Sequence, residues 1–596
     1  SNPKVIIRLT ADCPFIDSNI IKLGIKKFLT LKVDYLSNVL DRTYPDGLDF
    51  EIFNFKTLKE TEKNCKDISV REHVTPYMKT DYYKKIKTGL FKTYNLKNEI
   101  DFSHFRLTLD TEEDYLFLKN IAKNLGSNFS WMEVIRYLTQ NPQLLTKKFI
   151  TKRVGALSRH NKIKNLNIAN YKFGKSNKYF EKVKKIIPLG TQTFSKSFQQ
   201  YVKGAAPLFA ENGKGAYLYD IDKNNYIDYV MGLLPIIIGY ADKDINNSIK
   251  SQLEKGITFS LASKLEYQLA KKLKQIIPCA EMVRYGKNGS DATSAAVRLA
   301  RYYTGRKKIL IAGYHGWHDW YIGSTTRDKG VPNEIKKLTD KVASFDLKAF
   351  KKRIMTSDYA AFIIEPYADT NEEKNYLKEV RRLTSKYRTL LVFDEIISGF
   401  RINIGGAQKE YNIVPDLATF GKSVANGMPL SIIAGKSKIM KGMNEIFFST
   451  TFGGEALSIV AAISTIQKIE KLNISYKIKV YGKKLIEGLN EVISDNNLSN
   501  YIKFKGPYWW PRLNIKNTEM DQNLFKSLLR QELNACGLLI NATLNISYAH
   551  CNEMIYNQTI SRYNLALRRL NKILRKKNPK KELKGELIKP TFKVRD

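Results

Sequence analysis

The sequence is poor in cysteine, in acidic residues and in long apolar runs. Its five cysteines, Cys13, Cys65, Cys279, Cys536 and Cys551, are scattered, and no CxxC occurs. An odd, dispersed set gives neither a disulfide framework nor a zinc site, and it fits a reducing, cytoplasmic setting. The longest apolar run, around "YVMGLLPIIIGYA", is broken by Gly and Pro and is too short to span a bilayer, so no membrane role is expected. The opening "SNPKVIIRLTADCP" has no Met and no secretory leader pattern. It runs straight into a strand-like segment, so the expectation is that the chain begins inside a domain.

Acidic residues number 58 against 99 Lys and Arg, a formal net charge of +41. Such a balance raises the question of nucleic acid. The lysines are spread through every segment rather than gathered in a block, which is the pattern of solvated faces, and nucleic acid is not expected as a partner. The closing "SRYNLALRRLNKILRKK" reads as a basic amphipathic helix. Such helices can lie on membranes; here the expectation is that it covers a small domain and turns its Lys face to water.

What is present is a globular composition, 43% hydrophobic and 11% aromatic over 596 residues, with room for roughly two to four domains. In residues 1–146, "KVIIRLT" and "FRLTLD" read as strands and "EEDYLFLKNIAKNL" as a helix. Residues 147–178 are basic, Asn-rich and without a clean apolar period, and read as a linker. From 179 to 596, short apolar runs alternate with helical patterns, the signature of a parallel α/β sheet. The runs are "EMVRY", "KILIAG", "AAFIIE", "LLVFDE", "LATFG" and "LSIIAG".

Ligands of open parallel sheets bind beyond the carboxyl ends of the strands, so the residues after each run matter most. "GKNGSDAT", "GYHGWHDW", "EPY", "DEIISGFR" and "GKSVANG" follow in turn. Together they suit a ligand with a phosphate, a planar ring, a basic ring nitrogen and an electrophilic carbon, which is the description of pyridoxal phosphate. Gly289 and Ser290 open a helix whose free N–H groups and dipole favour the phosphate; an ordinary capped helix with Ser290 as N-cap is the plainer alternative. Ala292, Ala295, Ala296, Leu299, Ala300 and Tyr303 share one face of that helix, and Gly305 is a plausible stop. Asp394 at a strand end can keep a pyridine nitrogen protonated, preserving the ring as an electron sink. Lys422 follows "LATF" and offers the amine for Schiff-base chemistry. Tyr314 and His315 offer an aromatic surface for the ring. Glu365 can meet the phenol side of the cofactor or a substrate amine, or form a structural ion pair.

The segment from about Ile187 to Arg595 resembles the class III aminotransferases, most closely the glutamate-1-semialdehyde 2,1-aminomutase branch. The resemblance is carried by "IPLGTQTFSK", "GAYLYDIDKNNYIDY", "GKNGSDATSAAVRLAR", "GYHGWHDW", "IIEP", "LLVFDEIISGFR", "PDLATFGKSVANGMPL" and "STTFGGEALS" in this order. It implies a fold-type I homodimer with its active site at the subunit interface, a mostly parallel large-domain sheet at about 235–475, and a small α+β domain at 179–234 plus 476–596. It implies Lys422 as the cofactor-bonding lysine, Asp394 as partner of the ring nitrogen, Tyr314 as the stacking aromatic, and Gly289 and Ser290 as the phosphate cup. It also implies that Thr451 reaches the phosphate of the neighbouring subunit. The family's aminomutases place an Arg in the segment matching "TQTFSK" to hold a substrate carboxylate; Lys196 stands there. Lys keeps the charge and loses the bidentate fork, which favours amino transfer to another aldehyde or ketone, such as a sugar, from a small-molecule amino donor.

Residues 1 to about 125 have a second resemblance, to the cytidylyltransferases of surface-polysaccharide synthesis. It rests on "RLTADCPFID", "DYLSN", "RTYPDGLDFEIF", "REHVTPYM" and "RLTLDTEEDY". It implies Asp12 and Asp110 as Mg²⁺ ligands, in keeping with the few carboxylates Mg²⁺ needs. The family's Gly-rich nucleotide loop lies upstream of these motifs and is absent, so a partial α/β nucleotidyltransferase-like domain is expected. The combined reading is an aminotransferase or aminomutase of activated-sugar assembly behind a remnant of a CMP-sugar-forming enzyme. The alternatives are a glutamate-1-semialdehyde 2,1-aminomutase proper, or a nucleotidyltransferase with a non-catalytic aminotransferase-like partner.

Overall fold

The computed structural model describes residues 4–65, 74–79, 91–98, 101–103, 105–126, 128–141, 144, 171–356, 358–516 and 520–589. The chain divides into two compact units, Ser1–Asn167 and Ile168–Asp596. Of the stretch 147–178 expected as a linker, residues 147–170 lie outside the described residues, and Gly174–Val183 is a helix. In "REHVTPYM" the residues before Val74 also lie outside them.

The first unit has a four-stranded sheet: β1 (Val5–Leu9), β2 (Tyr35–Ser37), β3 (Phe50–Asn54) and β4 (Thr93–Asn95), in the order β1-β3-β2-β4. "EEDYLFLKNIAKNL" is the helix Glu112–Leu125, opened by a Thr111 capping box. "FRLTLD" is not a strand. Its amides are spent on two separate segments, Leu107 N on Asp46 O and Leu109 N on Asp12 O. The Arg106 side chain folds forward onto Asp110 and Asp114.

The second unit begins with the helix Gly174–Val183, and its first strands are β5 (Ala210–Lys214), β6 (Tyr217–Asp220) and β7 (Asn225–Asp228). All six apolar runs then become strands of one seven-stranded sheet. These are β8 (Met282–Gly286), β9 (Lys308–Ala312), β11 (Tyr359–Ile364), β12 (Leu390–Asp394), β13 (Leu417–Phe420) and β14 (Ser431–Gly435), joined by the short β10 (Thr339–Lys341). The order is β10-β9-β11-β12-β13-β14-β8. The sheet is mixed, not wholly parallel: β14 runs antiparallel to both β13 and β8. Because β14 alone is reversed, the other six strands still end on one rim. β11, β12 and β13 are buried along their whole length, as strands covered on both faces must be, and so they read as unbroken apolar runs.

The helix Gly289–Thr304 buries Ala292, Ala295, Ala296, Leu299 and Ala300 and ends at Gly305, whose φ of 69° supplies the left-handed cap. Tyr303 leaves the expected face and is exposed: a phenol one turn beyond the alanines meets water, not the sheet. The basic closing helix is Glu553–Leu574, and it buries Tyr563, Ala566, Leu567 and Leu570. No helix among the described residues is long and apolar enough to cross a membrane.

Candidate active site

The ends of β8, β9, β11, β12 and β13 surround one cavity of about 430 Å³. Lys422 and Asp394 line it together, with Gly289, Ser290, Tyr314, His315 and Glu365. Every residue expected to touch the cofactor therefore meets at one place, except Thr451. That residue is exposed and lies outside the cavity of its own chain.

Asp394 ends β12 and is buried. Its Oδ2 lies 2.8 Å from His315 Nδ1, and its Oδ1 accepts from Thr419 Oγ1 at 3.2 Å and from Ile396 N at 3.2 Å. The sequence placed His315 at the site; that it orients Asp394 emerges only from the fold. His315 Nε2 is buried without a hydrogen-bond partner among the described residues.

Lys422 follows β13 in a left-handed backbone conformation, φ 42°. A non-glycine there costs about 1–3 kcal/mol and persists where surrounding structure enforces it, often at working sites. Burial pushes its ammonium below the usual lysine range; Glu365 and Asp394 oppose that, and the Arg401 cation adds to it. Burial likewise pushes the Glu365 carboxyl up, while its Oε2 accepts from Tyr314 N at 3.0 Å. Gly313 permits this contact: its φ is +109°, and a Cβ would sit 2.5 Å from that oxygen.

The start of the helix Gly289–Thr304 is anchored by Asp291, whose Oδ2 accepts from Lys287 N at 2.9 Å and Asn288 N at 2.8 Å. Asn288, not Ser290, is therefore the N-cap. The Ser290 hydroxyl accepts from Trp317 N at 3.2 Å. A Cβ on Gly289 would meet Ile396 Cδ1 at 2.7 Å, so a larger residue there has to displace the Ile396 side chain that lines the same cavity.

Other features escaped the sequence reading. Thr193 lines the cavity from the "TQTFSK" segment, whereas Lys196 does not and is exposed. Pro235, Met428 and Leu430 form an apolar wall. "YWWPRL", which the sequence assigns to core packing ahead of a substrate-lining role, does bury Trp509, and Trp510 Nε1 donates to Asn545 Oδ1 at 2.9 Å, while Tyr508 is exposed. Arg401 is fully buried and donates to Leu234 O at 2.6 Å and Ile546 O at 2.7 Å. A lone cation inside the apolar run "ISGFRINI" was the available signal.

In the first unit, Leu109 N donates to Asp12 O at 2.9 Å, which brings Asp12 and Asp110 to adjacent backbone positions. The Asp110 carboxylate is held by Arg106 and Thr108. Among the described residues, no group of three His, Cys, Asp or Glu could hold a metal ion.

A buried, charge-depressed lysine facing a fixed aspartate, a glycine-bordered helix start and an exposed-edge tyrosine fit pyridoxal phosphate, and the fold is that of the fold-type I enzymes that use it. The class-III aminotransferase family model matches residues 199–509, and the chain belongs to that family. The chain is 37% identical over 370 residues to a 3-aminobutyryl-CoA aminotransferase of Cloacimonas acidaminovorans (strain Evry), covering 60% of this chain and 87% of that protein. It is 39% identical over 317 residues to a glutamate-1-semialdehyde 2,1-aminomutase of Saccharolobus islandicus, covering 50% of this chain and 74% of that protein. Among solved structures, the PLP internal aldimine form of Sphingopyxis sp. MTA144 FumI protein superposes with a TM-score of 0.64 at 24% identity, over 69% of this chain and all (100%) of that one. A glutamate-1-semialdehyde aminomutase of Pseudomonas aeruginosa PAO1 gives 0.60 at 18% identity, over 70% of this chain and 99% of that one.

Proposed function

We propose that the second unit moves an amino group from a small-molecule donor to an aldehyde or ketone acceptor in the assembly of activated sugars for surface polysaccharide. The observation that carries the chemistry is that Lys422 and Asp394 line one cavity. Gly289 and Ser290 would hold the cofactor's phosphate, Tyr314 its ring face, Asp394 its ring nitrogen and Lys422 its reactive carbon. Pyridoxal phosphate, when bound, supplies an electron sink for charge developing on the substrate carbon. Lys422, released by the incoming amine, is buried and inclined to neutrality, so its Nζ can accept and return a proton. Asp394, pinned by His315 and Thr419, keeps its carboxylate aimed into the cavity without reorganising. Pro235, Met428 and Leu430 exclude water from that transfer.

The sugar assignment is supported by the motifs of the first unit, which we read as a remnant of a CMP-sugar-forming cytidylyltransferase. Asp12 and Asp110 are its candidate Mg²⁺ ligands, and binding there requires Asp110 to leave Arg106 and Thr108. A homodimer is supported by the exposure of Thr451 and of Leu261, Phe447 and Phe452, apolar groups that a second copy would cover. The scattered cysteines support a cytoplasmic setting.

A second reading, an amino shift within one substrate, is favoured by the aminomutase relatives. The position of Lys196 outside the cavity speaks against glutamate 1-semialdehyde as that substrate.

The experiment is spectroscopic. Purified protein shows a yellow absorbance band that bleaches with borohydride, and peptide mapping finds the label on Lys422. Lys422→Ala abolishes the label and amine transfer. Label on another lysine, or transfer that survives the substitution, overturns the reading.

A further inference from the structure

A second cavity of about 430 Å³ lies between the end of the helix Ile474–Asp495 and the last turns of the helix Glu553–Leu574. Arg568, Arg569, Lys572 and Arg575 line it. Arg568, Lys572 and Arg575 follow the spacing that places side chains on one helix face. Arg569 has its own counter-ion, Glu532, with Nε 2.6 Å from Oε2. Among the described residues, the other three have no carboxylate within ion-pair distance. Like charges one turn apart repel, so three unpaired cations around a hollow favour an anion inside it.

The frame of the cavity is fixed. Asn571 Nδ2 donates to Asn496 O at 2.8 Å, and Asn496 Nδ2 donates to Val492 O and Asn564 Oδ1, each at 2.8 Å. Asp495 supplies one carboxylate to the lining, against three free cations. The apolar face of the same helix is already buried in the second unit, so the helix has no face left to insert into a lipid surface. A concave site of this volume suits a small molecule better than an extended polymer.

We propose that this cleft binds a compact phosphoanion of the pyrophosphate or phosphate-ester class. The proposal is independent of the pyridoxal-phosphate reading. The probe is inorganic pyrophosphate, titrated by calorimetry into the whole chain after loading with pyridoxal phosphate and removal of the unbound excess. The triple variant Arg568→Gln/Lys572→Gln/Arg575→Gln is compared with a control that removes three exposed lysines elsewhere, Lys182→Gln/Lys250→Gln/Lys378→Gln. Charge-assisted hydrogen bonds to phosphate are the strong kind, so the triple variant is expected to weaken binding by about tenfold or more, with the control within about twofold. Thermal melts confirm that both variants fold. Equal weakening in both variants assigns the effect to diffuse charge and overturns the proposal. So does an absence of pyrophosphate binding by the unaltered protein. A triple variant that melts lower yet binds equally well makes the cations helix-end stabilisers and overturns it too. If heparin binding depends on the three residues while pyrophosphate binding does not, the occupant is a polymer and the small-ligand assignment fails.

Discussion

His315 Nδ1 lies 2.8 Å from Asp394 Oδ2 with both side chains buried. The contact holds the imidazole and the carboxylate together at the end of β12. His315 thereby helps fix which way Asp394 faces, and it lines the same cavity. Replacing such an orienting partner typically lowers activity by about 10–100-fold. His315→Ala is expected to slow the amine half-reaction by that order, while His315→Gln, which keeps an N–H donor, recovers part of it. Stopped-flow absorbance of the half-reaction checks this, and the pH profile of the cofactor band should shift in the Ala variant alone. A His315→Ala enzyme within twofold of the parent would remove His315 from the site's design.

The burial of Lys422 has a consequence for stability. Its ammonium is pushed below the ordinary lysine value in the folded chain. Between the folded value and the ordinary one, the unfolded chain binds more protons, so stability rises with pH across that window. In the cofactor-free protein, Lys422→Met removes the group. The variant is expected to be more resistant to urea than the parent at neutral pH, with the gap closing as pH climbs toward the ordinary lysine range. Urea midpoints at two pH values measure it; a gap that widens with pH contradicts the assignment.

Most strands around the site were legible because β9, β11, β12 and β13 are buried almost throughout and so are written as unbroken apolar runs, whereas β8 is partly exposed and Arg284 interrupts its run. Those runs placed Gly289, Tyr314, Glu365, Asp394 and Lys422 correctly on one rim. The reversal of β14 was not legible, since a fully buried strand reads alike in either direction. Arg401 was missed because its partners, Leu234 O and Ile546 O, are backbone groups far away in sequence, and carbonyls leave no side-chain pattern. "FRLTLD" was misread because its alternation is local, whereas its amides are claimed by Asp46 and Asp12.

Gly313 separates β9 from the aromatic pair Tyr314–His315. At φ +109° with a Cβ position 2.5 Å from Glu365 Oε2, Gly313→Ala is strained twice. The expected cost is about 1–3 kcal/mol of stability, read from denaturant midpoints. The substitution also pushes Glu365 out of its bond to Tyr314 N, so activity should fall by more than the residual folded fraction explains. An alanine variant with parental stability would mean that the turn relaxes freely.

His550 provides the acid limit of the second unit. It is buried, stacks on Tyr229 at 4.4 Å between ring centroids, and its Nδ1 accepts from Ser547 N at 3.0 Å. Burial pushes its imidazole down to about 3, with Arg401 adding to the effect. Below the ordinary histidine value the unfolded chain takes up a proton that the folded chain refuses, so stability falls as pH drops from there toward the folded value. One proton contributes at most about 1.4 kcal/mol per pH unit. His550→Asn keeps an acceptor for Ser547 N and has nothing to protonate. At pH 7 the variant is expected to be the less stable by about 1 kcal/mol, through the lost stacking on Tyr229. By pH 4.5 the order should reverse, because only the parent carries the buried base. Parallel urea titrations from pH 7 to pH 4.5 decide it: curves that stay parallel would show that His550 does not govern acid unfolding.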